Sequence, residues 1–298
     1  MGPETISPRL RGFDTWTDQD ILATLWQGQA SALAAVHAIL PQLALAARDI
    51  TNRLTMGGRL ILVGAGTSGG IAALEAAELP PTFGWPADRA LYLGPDQAAF
   101  SDSAAEDDAD HGAAAMRSAA PTLADAVVAL AASGATPFTC AAAATAFDQG
   151  ALVVTISNRV DSPLAQKAHH TLTLETGGEV PAGSTRMQAG TSQKITLNLL
   201  SVLAMTRLGR VHDGLMVELT PSRPKFRARA IRIVAALTGA PEDQAENLLL
   251  QAGGHIKQAA LMARGCTRPE AAALLDQNGD NLRAALAQRP PAAPHRGP

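Results

Sequence analysis

Downstream of residue 58, short apolar runs alternate with longer mixed segments. RLILVG (59–64), RALYLG (89–94), AVVALAA (126–132), ALVVTIS (151–157) and HTLTLET (170–176) read as strands, each followed by a segment able to be helical. That alternation predicts an α/β fold with a doubly wound, five-stranded parallel sheet covered by helices on both faces. Ahead of it, Leu22, Leu25, Trp26, Leu33, Val36 and Leu40 recur at helical spacing behind a capping box at Thr17 and Asp20. Pro41 ends or kinks that helix, and a second one carries Leu43, Ile50 and Leu54 as far as Gly57 and Gly58. From Gln188 the pattern is helical again through AGTSQKITLNLLSVLAMTRLG and KFRARAIRIVAALTG, the latter with a basic side suited to solvent or to a subunit contact. Near the C-terminus Gln251, Gly253, Ile256, Lys257 and Ala259 recur at an offset of 26 as Gln277, Gly279, Leu282, Arg283 and Ala285, a repeat that two helical hairpins would satisfy. The predicted layout is an N-terminal arm at 1–17, a sheet domain with flanking helices at 18–238, a small all-helical domain at 239–288 and a proline-rich, disordered tail at 289–298.

A chain of 298 residues can bury a substantial core, which fits one large domain with a small appendage. The formal net charge of −3, with Lys and Arg scattered, gives no electrostatic case for nucleic acid or an anionic membrane, so small molecules are the expected ligands. Cys140 and Cys266 lie in unrelated segments without CxxC spacing, against a disulfide framework or a structural zinc site and in favour of a reducing compartment. MGPETISPRLRG has no apolar core and no run of about 18 apolar residues follows, so neither export nor membrane insertion is indicated and the cytoplasm is the expected location.

ILVGAGTSGG sets Gly64, Gly66 and Gly69 between a strand and a helix, where backbone amides at the positive end of the helix dipole can approach an anion. Thr67 and Ser68 add hydroxyl donors. The same glycines fit a dinucleotide-binding turn, but that fold wants an acidic residue at the end of the second strand. Here that strand ends in Gly94 and Pro95, and Asp96 lies beyond the turn. A second hydroxyl-rich loop, Ser133, Gly134 and Thr136 ahead of Pro137, follows the strand at 126–132. Two such loops at the carboxyl ends of neighbouring parallel strands can grip one phosphate from two sides. Either loop alone is equally what an ordinary strand-to-helix turn looks like.

Together GAGTSG and AASGATP resemble the sugar isomerase (SIS) fold, whose members bind phosphosugars. The fuller strings AAELPPTFG, AAEDD, EVPAGSTRMQAGTSQKITLNLLS, GRVHDGLMVEL and RARAIRIV, in consistent order between residues 20 and 287, resemble the N-acetylmuramic acid 6-phosphate etherases of bacterial cell-wall recycling. The resemblance implies a SIS phosphosugar-binding domain and a lyase that removes D-lactate from the C3 oxygen of its substrate, leaving N-acetylglucosamine 6-phosphate. An alkyl ether resists direct hydrolysis. In the ring-opened sugar, however, the C2 proton is α to the C1 aldehyde, so a base can remove it, the C3 oxygen can leave, and water can add back. That route needs a base at C2 and an acid at the ether oxygen, two carboxyls held in different environments, and no metal or redox cofactor.

The resemblance places the acid on Glu78 and the C2 base on Glu106. From the residues alone, Glu78 sits at the end of the helix that the phosphate loop begins, where the dipole favours a protonated carboxyl, with Pro80 and Pro81 expected to stop the helix; an exposed helix-end glutamate is the alternative. Glu106 belongs to SDSAAEDDADHG, an acidic run that by itself reads as a solvent-facing helix start. The resemblance further implies phosphate binding by Gly66, Thr67, Ser68, Ser133 and Thr136. It assigns the sugar or lactyl group to Ser157, Asn158, Glu179, Ser184, Thr185 and Arg186, the last a bidentate partner for a carboxylate. A plain strand-end turn at Ser157 and Asn158, and a structural ion pair at Arg186, are the alternatives. His212 reads as structural and Cys140 as a small core residue. The chain departs from the family pattern at Gly70, where these enzymes commonly have arginine, and in an N-terminal segment expected to be shorter than usual.

Two other functions compete on the same fold. A phosphosugar isomerase would need no second acid near C3, and a non-catalytic sugar-phosphate-sensing regulator would pair tandem domains for which this chain has no room. The resemblance also implies a homodimer with each site completed across the interface, the helices at 188–208 and 225–237 contributing, and a C-terminal bundle similar to ubiquitin-associated domains.

Overall fold

The computed structural model describes residues 2–95, 103–221 and 223–289. Asp96 and the tail from residue 290 lie outside the described residues, and the expectations for them with it. The predicted strands form as β1 (Leu60–Gly64), β2 (Ala90–Leu93), β3 (Ala126–Ala131), β4 (Leu152–Ser157) and β5 (His170–Thr173). All pair in parallel, in the order β2-β1-β3-β4-β5, with Leu60 opposite Ala126 and Ala126 opposite Leu152. Chain order reverses between β1 and β3, so their carboxyl ends form the switch point at which doubly wound sheets bind ligands.

The helices of this part of the chain are α1 (Asp18–Ala38), α2 (Leu40–Thr55), α3 (Gly66–Phe83), α4 (Ala109–Ala119), α5 (Pro137–Asp148) and α6 (Gln188–Arg207). Every residue of β1, β3 and β4 is buried. Ile61, Val63, Val127, Ala129 and Val153 share a core with Met116 of α4 and Phe138 and Ala142 of α5. Leu62, Val128, Leu130, Val154 and Ile156, on the opposite pleat, are buried as completely. At the amino end of the sheet Asp125 accepts the Arg59 amide at 2.7 Å, the Arg59 guanidinium through Nη2 at 2.7 Å and the Thr122 amide at 2.8 Å, which ties β3 to β1.

The sequence pattern and the structure differ at two helices. Thr17 caps α1 as expected, its Oγ1 accepting the Asp20 amide at 3.2 Å. The inward face of α1, however, is built from Ala32, Ala35 and Val36, and Leu22, Trp26 and Leu33 stay exposed. The second difference is α3, expected to stop at Pro80, which continues to Phe83. The two prolines withhold the amides that would have bonded the carbonyls of Ala76 and Ala77, but their fixed φ suits a helix, and the Gly84 amide closes the last turn on the Pro80 carbonyl at 2.9 Å. Glu78 therefore lies within the helix and not at its end.

Two compact units result, Met1–Ala77 with Ala87–Ala204, and Glu78–Pro86 with the chain from Met205 onward. In the second unit a short hairpin, β6 (Val211–His212) and β7 (Leu215–Met216), precedes α7 (Pro224–Thr238), α8 (Glu242–Gln251), α9 (Ile256–Met262), α10 (Arg268–Gln277) and α11 (Leu282–Ala287). Ala230, Ile233 and Val234 of α7 share one core with Leu249, Ile256, Leu275 and Leu282 of the later helices.

Candidate active site

Loops at the carboxyl edge of the sheet enclose a cavity of about 670 Å³, lined by Ser133, Ala135, Thr136 and Pro137 after β3, Arg159 after β4, Thr185, Glu106, Asp107 and the N-terminal residues Gly2–Thr5. Its position follows from local chain chemistry. Gly66 turns the chain from β1 into α3 with a φ of 54°, and a Cβ there would stand 3.3 Å from Oε2 of Glu106. The Glu106 carboxylate thus closes over the glycine turn. Thr67 belongs to the same corner: a Cβ on Gly190 would lie 3.4 Å from its Cγ2 and 3.3 Å from the Thr185 carbonyl oxygen.

Behind this surface runs a buried polar relay. Ser68 Oγ donates to Oε1 of Gln193 at 2.8 Å, Gln193 Nε2 donates to Oδ1 of Asn158 at 3.0 Å, and Asn158 Nδ2 donates to Ser192 Oγ at 2.9 Å. Ser157 is buried as well, its Oγ donating to the Arg159 carbonyl at 3.1 Å. Glu179 is buried, and its two carboxylate oxygens accept the amides of Gln188 at 2.9 Å and Ala189 at 2.7 Å. It thereby satisfies orphan donors at the start of α6. Burial pushes its carboxyl above the ordinary carboxylate range, against the opposing pull of those two amides.

A family model for the SIS domain matches residues 107–204. The N-acetylmuramic acid 6-phosphate etherase of Streptomyces avermitilis is 40% identical over 291 residues, covering 96% of this chain and 94% of that protein. The protein of the same name from Deinococcus radiodurans is 38% identical over 289 residues, 96% of this chain and 95% of the relative. The chain belongs to the N-acetylmuramic acid 6-phosphate etherase family. Among solved structures, a phosphoheptose isomerase from Francisella tularensis matches 64% of this chain and 100% of its own with a TM-score of 0.50 at 16% identity, a likeness of fold.

Of the residues that the etherase resemblance singles out, Ser133, Thr136, Thr185 and Glu106 line the cavity. Gly66 lies against Glu106 and Thr67 beside the Gly190 backbone. Ser68, Ser157, Asn158 and Glu179 are buried behind the surface, where they hold loops in place. Ser184 is half-buried and Arg186 exposed next to Thr185, and no carboxylate lies within 4 Å of Arg186 among the described residues. Glu78 is exposed twelve residues, more than three turns, beyond Gly66 on α3, in the segment that belongs to the second unit. Sequence reasoning missed Arg159, although it adjoins Ser157 and Asn158, and Gln193, although it stands in the quoted string AGTSQK. It also missed the N-terminal segment, whose Pro3 carbonyl accepts the amides of Glu179 at 3.0 Å and Gly183 at 3.2 Å. Among the described residues no three His, Cys, Asp or Glu side chains are grouped to hold a metal ion, and no single helix is long and apolar enough to cross a membrane.

Proposed function

We propose that the chain is a carbon–oxygen lyase that cleaves the D-lactyl ether of N-acetylmuramic acid 6-phosphate to N-acetylglucosamine 6-phosphate and D-lactate, in cytoplasmic cell-wall recycling and amino-sugar catabolism. Similarity over nearly the whole chain to proteins named as such etherases carries this reading. The cavity's position at the carboxyl ends of the strands, with a carboxylate over a glycine turn and the hydroxyls of Ser133 and Thr136 in the same lining, agrees with it.

The phosphate binds against the amides of the Gly66 turn and the hydroxyls of Thr67, Ser133 and Thr136, which orients the ring-opened sugar. Glu106 removes the proton from C2. The C3–O bond then breaks, Glu78 delivers a proton to the departing lactate oxygen, and an unsaturated aldehyde remains. Glu78 next takes a proton from water as its oxygen adds to C3, and Glu106 returns a proton to C2. Arg186 holds the lactyl carboxylate, Ser184 and Thr185 contact the sugar, and Ser68, Ser157, Asn158 and Glu179 position the loops that do so. A glutamate three turns along the helix from its own chain's phosphate turn is suited to a substrate held by a second copy, and the working form is a homodimer. Leu74 on α3 and Leu22, Trp26 and Leu33 on α1 leave apolar surface for that contact.

The test is incubation with N-acetylmuramic acid 6-phosphate in heavy-oxygen water and in deuterium oxide. Lactate release with heavy oxygen at C3 and deuterium at C2 is expected from the wild type. Glu106→Ala abolishes deuterium entry at C2, and Glu78→Ala retains C2 exchange while losing lactate release by about two orders of magnitude or more. A wild type that binds the sugar and releases no lactate would refute the assignment.

A further inference from the structure

We infer that Arg159 is the cation that holds the substrate's phosphate in this cavity, an inference that rests on the proposed function and adds to it the charge its phosphate site otherwise lacks. Among the described residues lining the cavity, Arg159 is the only Lys or Arg, whereas Glu4, Glu106 and Asp107 contribute three carboxylates. Hydroxyls and amides give a phosphomonoester dianion hydrogen bonds and a partial helix-dipole charge, but no full positive charge to set against those carboxylates. A guanidinium does so with two parallel N–H donors matched to phosphate oxygens.

The side chain is available for the task. Arg159 is exposed, and its guanidinium makes no hydrogen bond or ion pair with any described residue. Other arginines near the sheet are engaged, Arg59 by Asp125 and Arg89 by the carbonyls of Leu54 and Gly58. Its backbone, by contrast, is anchored. The Arg159 carbonyl accepts Ser157 Oγ at 3.1 Å, and Ser162 Oγ donates to Ser157 Oγ at 3.3 Å. This turn is locked to the phosphate-binding loop after β3 by the Asn158 amide on the Ala132 carbonyl at 3.0 Å and the Leu164 amide on the Gly134 carbonyl at 2.9 Å. The approach is so close that a Cβ on Gly134, whose φ is 63°, would fall 2.2 Å from Cβ of Ser162. A guanidinium with no competing partner among the described residues, carried on a fixed turn beside the loop with Ser133 and Thr136, is in position to meet an anion bound there. The substrate's other anion, the lactyl carboxylate, falls to Arg186 on the far side of Thr185 in sequence.

Two ligands separate the anions: N-acetylglucosamine 6-phosphate carries the phosphate without lactate, and N-acetylmuramic acid carries the lactyl carboxylate without phosphate. Calorimetric titration of both into wild type, Arg159→Ala and Arg159→Lys should show the alanine variant losing roughly ten- to a hundredfold in affinity for the phosphosugar. Its affinity for N-acetylmuramic acid should be unchanged, and lysine should recover part of the loss. With N-acetylmuramic acid 6-phosphate, KM should rise by a similar factor while kcat changes far less. Unchanged phosphosugar affinity in Arg159→Ala, or a loss confined to N-acetylmuramic acid, overturns the inference and leaves the proposed function standing. A wild type that releases no lactate from N-acetylmuramic acid 6-phosphate overturns the proposed function itself, and this inference with it.

Discussion

Gly66 shows how one missing side chain organises the site. Its left-handed φ is cheap only for glycine, and the space a Cβ would occupy is bounded by the Glu106 carboxylate at 3.3 Å. Gly66→Ala should therefore strain the turn by about 1 kcal/mol and displace the proposed base by a few tenths of an ångström, a small stability change beside a larger catalytic one. The expected result is a kcat/KM lowered about tenfold or more with a melting temperature lowered by only a few degrees. Equal activity in the alanine variant would mean that Glu106 is not held against this turn when the enzyme works. Buried polar residues tell the complementary story. Glu179 and Asn158 have the chemistry of ligand contacts, yet their hydrogen-bonding capacity is taken by α6 and by the Gln193 relay.

Among elements, the sheet depends on a clamp at the edge opposite the cavity. Burial alone would push the Asp125 carboxyl up, but the Arg59 guanidinium and the amides of Arg59 and Thr122 together hold it below its ordinary value of 3.8. A depressed folded-state pKa stabilises the fold above the unfolded value, and the contribution is lost as pH falls through the lower one. Asp125→Asn should cost about 2–4 kcal/mol near neutral pH, because it leaves a partly buried guanidinium without its charge partner. In urea titrations the gap between wild type and variant should close as pH drops below 3.8; a gap independent of pH would remove the electrostatic explanation. The second unit obeys its repeat. α8 and α10 begin at Glu242 and Arg268, and α9 and α11 at Ile256 and Leu282, both at the offset of 26 seen in the sequence. The repeated basic position is used twice: Lys257, buried, is held by Glu218 at 2.6 Å and Asp280 at 2.8 Å, and Arg283 pairs with Asp213.

At the scale of the whole molecule, the exposed stripe of α1 is where the proposed homodimer is tested. Leu22, Trp26 and Leu33 carry the periodicity that first marked this helix, and they are 65%, 73% and 57% exposed. The proposed homodimer predicts a dimer in light scattering, a shift to monomer in Trp26→Asp with Leu33→Asp, and lactate release falling in parallel, as a site completed by the second copy requires. A double variant that stays dimeric would place the interface elsewhere. The sequence by itself determined the five strands, their parallel pairing, the glycine turn and the C-terminal repeat, since periodicity and turn chemistry act over a few residues and survive in any context. It also showed which family's chemistry the chain carries, through AAELPPTFG and GSTRM. Only the tertiary structure decided which polar residues are spent on the fold and which face the cavity. Ser68 and Gln193 are 125 positions apart, and Pro3 and Glu179 are remote in the chain as well, so their contacts exist only after the sheet has brought the loops together. Arg159 and Glu106 share one cavity for the same reason. In the same way, the prolines after Glu78 end a helix by local preference, while here the helix runs on to Phe83, because a proline's fixed φ is compatible with the turn that Gly84 closes.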